Sequence, residues 1–106
     1  MYFADDTTDI KVKLSGAVTT TELPIVGCSS RIVEATGAMD AATVIHTVTA
    51  GTAEITVVDG GADSAKVTKL QGLAVRNSDT VAATVTVYQD DGSNERIIVR
   101  ATLAVG

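Results

Sequence analysis

From Asp9 to Ser15 apolar and polar positions alternate strictly, with Ile10, Val12 and Leu14 on one parity and Lys11 and Lys13 on the other. Successive side chains of an extended chain point to opposite faces, so this period of two predicts a strand with one dry and one wet face. "TTTELPIVG" follows with the single proline, Pro24, which cannot donate to a ladder and marks a strand start, bulge or edge; a kink is expected there. "SRIVEA" and "ATVIHTVTA" read as two more strands. The second also fits a short helix carrying Ala42, Ile45 and Val48 on one face, but its Thr and Val content favours a strand. In "AEITVVDGGADSAKVTKL" the Asp59-Gly60 step tolerates the positive φ of a tight turn and predicts a hairpin. "LQGLAVRN" predicts a strand with Leu73 and Val75 on one face, ending at Asn77, whose side chain can bond nearby backbone and shape the next turn. A closing hairpin around an acidic turn is read in "RNSDTVAATVTVYQDDGSNERIIVRATLAVG", residues 76–106.

Fifteen Val, seven Ile and sixteen Thr reinforce this pattern, because β-branched side chains lose rotamer freedom in a helix and pack well on a pleated sheet. The expected fold is all-β, an antiparallel β-sandwich of about 7–9 short strands, with a small β-barrel as the alternative. Residues 1–9 read as an acidic N-terminal arm and 10–106 as one sandwich domain. Of 106 residues only Tyr2, Phe3 and Tyr88 are aromatic, so the core rests on Val, Ile, Leu and Ala. Such a core is thin, and oligomerisation would help it.

The net charge of −5 opposes a phosphate backbone, which needs Lys and Arg to displace counterions, so nucleic acid is not an expected partner. No apolar run approaches the ~18 residues of a membrane helix, and no membrane partner is expected. The acidic start "MYFADDTTD" does not resemble a basic leader, and the chain reads as soluble and unprocessed. Cys28 stands alone, which excludes an intramolecular disulfide scaffold and favours assembly in a reducing cytoplasm.

Chemistry-bearing residues are sparse. His46 is the single histidine, whereas a zinc site needs about four clustered ligands. Cys28 and His46 could pair as nucleophile and base, but nothing local marks either as activated, and a packing role for the thiol is expected. "QDDGSNE" gathers Asp90, Asp91, Asn94 and Glu95 without the spacing of an EF-hand loop and reads as a solvated turn. Asp5, Asp6 and Asp9 read as a solvated arm, and "DGGAD" lacks a phosphate-loop pattern. No catalytic residue, metal or cofactor is expected.

"GLAVRNSDTVAATVTVYQDDGSNERIIVRATLAVG" has a strand ending in Asn, a valine-threonine strand, an acidic turn and a last strand closing on Leu-x-x-Gly. This layout resembles small bacteriophage virion proteins, among them capsid decoration (cement) proteins and head-to-tail or tail accessory proteins. With "RIVEATGAMDAATVIHTVTAGTAEITVVDGG" upstream, the likeness covers most of residues 23 to 106. It implies a non-enzymatic, often symmetric subunit that binds the major capsid protein or other virion subunits, is located in the virion and forms homo-oligomers. Head-tail connectors, and carbohydrate- or protein-binding sandwich modules, stand as alternatives.

The closing hairpin suggests a contact surface. With a five-residue turn over residues 90–94, Gln89 faces Glu95, and Val81, Ala83, Val85 and Val87 share the core side with Ile97, Val99, Ala101 and Leu103. Thr84, Thr86, Tyr88, Ile98 and Arg100 then form the opposite side. An Ile beside a Tyr exceeds what a solvated face requires, which makes these five the expected contact residues.

Overall fold

A computed structural model of the chain describes residues 2–3, 7–33, 38–39, 43–60 and 66–106. Among the described residues seven strands have four or more residues: β2 (Asp9–Leu14), β3 (Pro24–Val33), β5 (Thr43–Val48), β6 (Ile55–Val58), β7 (Lys66–Val75), β8 (Ala83–Asp90) and β9 (Glu95–Leu103). The two-residue strands β1 (Tyr2–Phe3) and β4 (Ala38–Met39) complete the set. All pairings are antiparallel. One sheet runs β6-β2-β8-β9; the other runs β1-β7-β3, with β4 and β5 both pairing with β3. The result is the β-sandwich that the strand pattern predicts.

β2 shows how sequence becomes packing. Ile10, Val12 and Leu14 are buried and the intervening lysines are half-buried, as the alternation requires. With Leu23, Ile25, Val57, Val85 and Val87 they form the core between the sheets. Removing each such side chain from water contributes roughly 1.5–3 kcal/mol. The sheets approach closely where β6 meets β3. There an added Cβ on Gly27 would lie 2.9 Å from Val57 Cγ1, so glycine is what lets the two strands come together.

Three local expectations change. The segment 53–70 is not a hairpin: β6 pairs with β2 in one sheet, while β7 pairs with β3 in the other. A turn signal states where the chain reverses, not which sheet it joins next. Here Val57 and Val58 are both buried, so β6 is enclosed beyond what a half-wet hairpin strand needs. The "DGGAD" turn lies largely outside the described residues. The irregularity in β3 falls at Cys28 and Ser29 rather than at Pro24. Pro24 opens the strand, and its carbonyl accepts the Arg76 N–H at 3.1 Å. The expected N-terminal arm is drawn into the sheets at both ends, since Tyr2–Phe3 pair with β7 and Asp9 begins β2. Asp5 and Asp6 lie outside the described residues.

The radius of gyration, 14.6 Å, exceeds the ~13 Å of a compact chain this long. Beyond the tight crossing of β3 and β6, the sheets leave a gap between β7 and β9.

Candidate assembly surface and acidic cluster

β9 is an edge strand. Its turn is built by short hydrogen bonds: Asp91 accepts the N–H groups of Ser93 at 3.0 Å and Asn94 at 2.7 Å, and Asp90 accepts that of Gly92 at 2.8 Å. Gly92 sits at φ 88°, a left-handed conformation that glycine adopts without steric cost. The loop spans four residues, because Asp90 rather than Gln89 faces Glu95.

The ladder then slips. Tyr88 pairs with Ile97 but Val87 pairs with Val99, which leaves Ile98 as the extra residue of a β-bulge. Val85, Val87, Val99, Ala101 and Leu103 therefore keep the expected inner side. The two isoleucines exchange places. Ile97 joins Lys13, Thr86, Tyr88 and Arg100 around an outer groove, whereas Ile98 turns inward beside Val99. Of the five expected contact residues, Thr86, Tyr88 and Arg100 thus share the outer side with Ile97. Thr84 pairs with Thr102 on that side, their hydroxyls 2.9 Å apart, and Ile98 leaves it.

Ile98 lines the gap. Leu70, Leu73 and Val75 of β7 form one wall, and Ile98, Val99 and Leu103 of β9 the other. Val85 and Val87 also border this apolar groove, whose volume is about 280 Å³. Ile97, Ile98 and Val99 are 65%, 43% and 49% exposed, so three consecutive large apolar residues meet water on an unpaired strand edge. A second apolar patch lies on the outside of the other sheet, where Val26, Val44 and Val48 are exposed. Its signal in the sequence was the parity of Val44, His46 and Val48 in "TVIHTV". His46 is exposed within this row, and Cys28, half-buried, donates to Gln71 Oε1 at 3.4 Å. The thiol is therefore not a core group.

The outer face of the other sheet carries the charge. Lys11 Nζ bonds Asp90 Oδ2 at 2.7 Å, and Lys13 Nζ lies 3.8 Å from Glu54 Oε1. Lys11, followed by the Gly92 N–H, holds the Asp90 carboxyl below its ordinary range. Glu54, Asp90 and Glu95 come from three segments, yet their carboxylate oxygens lie within 4.8 Å of one another. The neighbouring Glu54 carboxylate raises the pKa of Glu95. Tyr88 is buried beneath this face, with Lys13 Nζ 5.2 Å from its ring centroid. Among the described residues its hydroxyl makes no hydrogen bond of sound geometry, although Glu54 lies near enough to act on it. Burial first, then Glu54, push that hydroxyl's pKa upward.

No family model, curated protein or solved structure matches the chain.

Proposed function

We propose that the protein is a non-enzymatic structural subunit of a bacteriophage particle, a capsid decoration protein that binds and stabilises the assembled shell. The observation that carries the reading is the β9 edge, nine residues long, with Ile97–Val99 exposed beside an apolar groove. A long apolar edge is an aggregation hazard unless a partner covers it. Apolar patches on two separate faces suit a subunit that meets both a shell and its own copies. Repetition of the shell surface multiplies modest contacts by avidity. The sugar-binding alternative loses its described aromatic platform, because the Tyr88 ring is buried.

The test is co-sedimentation with shells assembled from the major capsid protein. Wild type is expected in the shell fraction, and Ile97→Asp and Ile98→Asp are expected to stay in the supernatant. Wild type that never sediments with shells, or aspartate variants that bind as well as wild type, would overturn the reading. Binding to tails and not to heads would move the assignment to the connector or tail accessory class.

A further inference from the structure

We propose that Glu54, Asp90 and Glu95 form a binding site for a calcium-sized divalent cation, with the Tyr88 hydroxyl directed into it as a fourth oxygen. Three strands of one sheet position the ligands. Asp90 ends β8 and pairs with Glu95 at the start of β9, while Glu54 immediately precedes β6 on the far side of β2. Lys11 and Lys13 of β2 reach Asp90 and Glu54, which leaves one carboxylate without a matching cation. Carboxylates this close cannot all ionise without a further positive charge or a shared proton.

The spacing favours an ion. One oxygen from each of the three carboxylates lies within 4.8 Å of the other two, close enough for all three to converge on one calcium ion. Calcium accepts an irregular set of oxygens such as this one, whereas magnesium demands near-ideal octahedral geometry. Asp90 already accepts bonds from Lys11 and Gly92, but each carboxylate oxygen has a second lone pair for a metal.

Tyr88 supplies the independent sign. Its side chain is 1% exposed and, among the described residues, its hydroxyl makes no hydrogen bond of sound geometry, not even with the nearby Glu54, although a buried hydroxyl normally finds one. The carboxylates that act on it are Glu54, Glu95 and Asp90, the same three that form the cluster. A cation, or a water on that cation, would satisfy this oxygen. Few ligands and an exposed rim place the dissociation constant at roughly 0.1–1 mM, the range of weak calcium modules.

Terbium, which replaces calcium and emits when a nearby tyrosine is excited, is the probe. Wild type is expected to give tyrosine-sensitised emission that calcium quenches by competition. Tyr88→Phe is expected to lose the emission while Tyr2→Phe keeps it, because Tyr2 lies on the other sheet. Glu95→Gln is expected to weaken binding at least tenfold, and calcium should raise the melting temperature of wild type but not of this variant. Absence of emission from wild type, or emission that survives Tyr88→Phe, would overturn the site. So would a melting temperature that calcium leaves unchanged, since a shared proton between Glu54 and Glu95 would then explain the cluster by itself.

Discussion

Asp79 accepts the main-chain N–H of Thr19 at 2.8 Å, joining residues sixty positions apart. The same carboxylate takes the N–H and hydroxyl of Thr20 and the N–H of Thr80, so one buried side chain fastens the 15–23 loop to the turn that leads into β8. These donors favour the ionised form; with the Thr19 amide foremost, they lower its pKa from 3.8 to about 2. Because the folded value is depressed, the stabilisation is complete above the ordinary value and is lost as pH falls through the folded one. Thermal melts should therefore show wild type losing stability between about pH 4 and pH 2. Asp79→Asn should melt below wild type at neutral pH, with the gap closing across that window.

Asn77 performs a related task with a neutral group. Its amide donates to the carbonyls of Val81 and Leu103, each at 3.0 Å, and its oxygen accepts the Asp79 N–H at 2.9 Å. Asn77→Ala would strand buried groups, at a cost of about 2–3 kcal/mol. Urea unfolding should show that loss, and hydrogen exchange should rise at Asp79, whose N–H loses its acceptor.

Gly27→Ala should destabilise by about 1–3 kcal/mol through overpacking against Val57. Val57→Ala would cost about 2 kcal/mol or more by leaving a cavity. Combined, the two changes should cost less than their sum, because the new methyl occupies space the valine has vacated. A double-mutant cycle measures this directly, and additive losses would show that the sheets can move apart at this crossing.

Ile97→Asp should leave stability within about 0.5 kcal/mol of wild type, since the side chain is exposed. Val87→Asp places an unpaired charge in the core and should unfold a domain of ordinary marginal stability. Circular dichroism melts separate the two. Tyr88→Phe, which removes only an unpartnered hydroxyl, should be neutral or slightly stabilising in calcium-free buffer.

Legibility in the sequence followed the range of the interactions. β2 was readable because its alternation is local and one face of its sheet is buried. Asn77 was readable as a turn residue, but not its bond to Leu103, a partner 26 positions away. The bulge at Ile98 carried no mark, since neither Gly nor Pro stands there and apolar residues occupy both parities. A single slipped residue was enough to exchange Ile97 and Ile98 between faces. The acidic cluster was half visible in "QDDGSNE"; Glu54 joins only because β6 crosses to the far edge of β2, a pairing that no local pattern announces.

The bulge also bears on how the uncovered β9 edge behaves toward other copies of the chain. A regular edge strand of this length could template an identical strand, then another, into a fibre. At Tyr88 the spacing of the backbone groups changes and the strand twists away from a straight ladder. Arg96 and Arg100 flank the interrupted stretch, so copies stacked in register would bring like charges together. The bulge thus works against open-ended, strand-by-strand growth from this edge, while Ile97, Ile98 and Val99 stay exposed for a partner to cover.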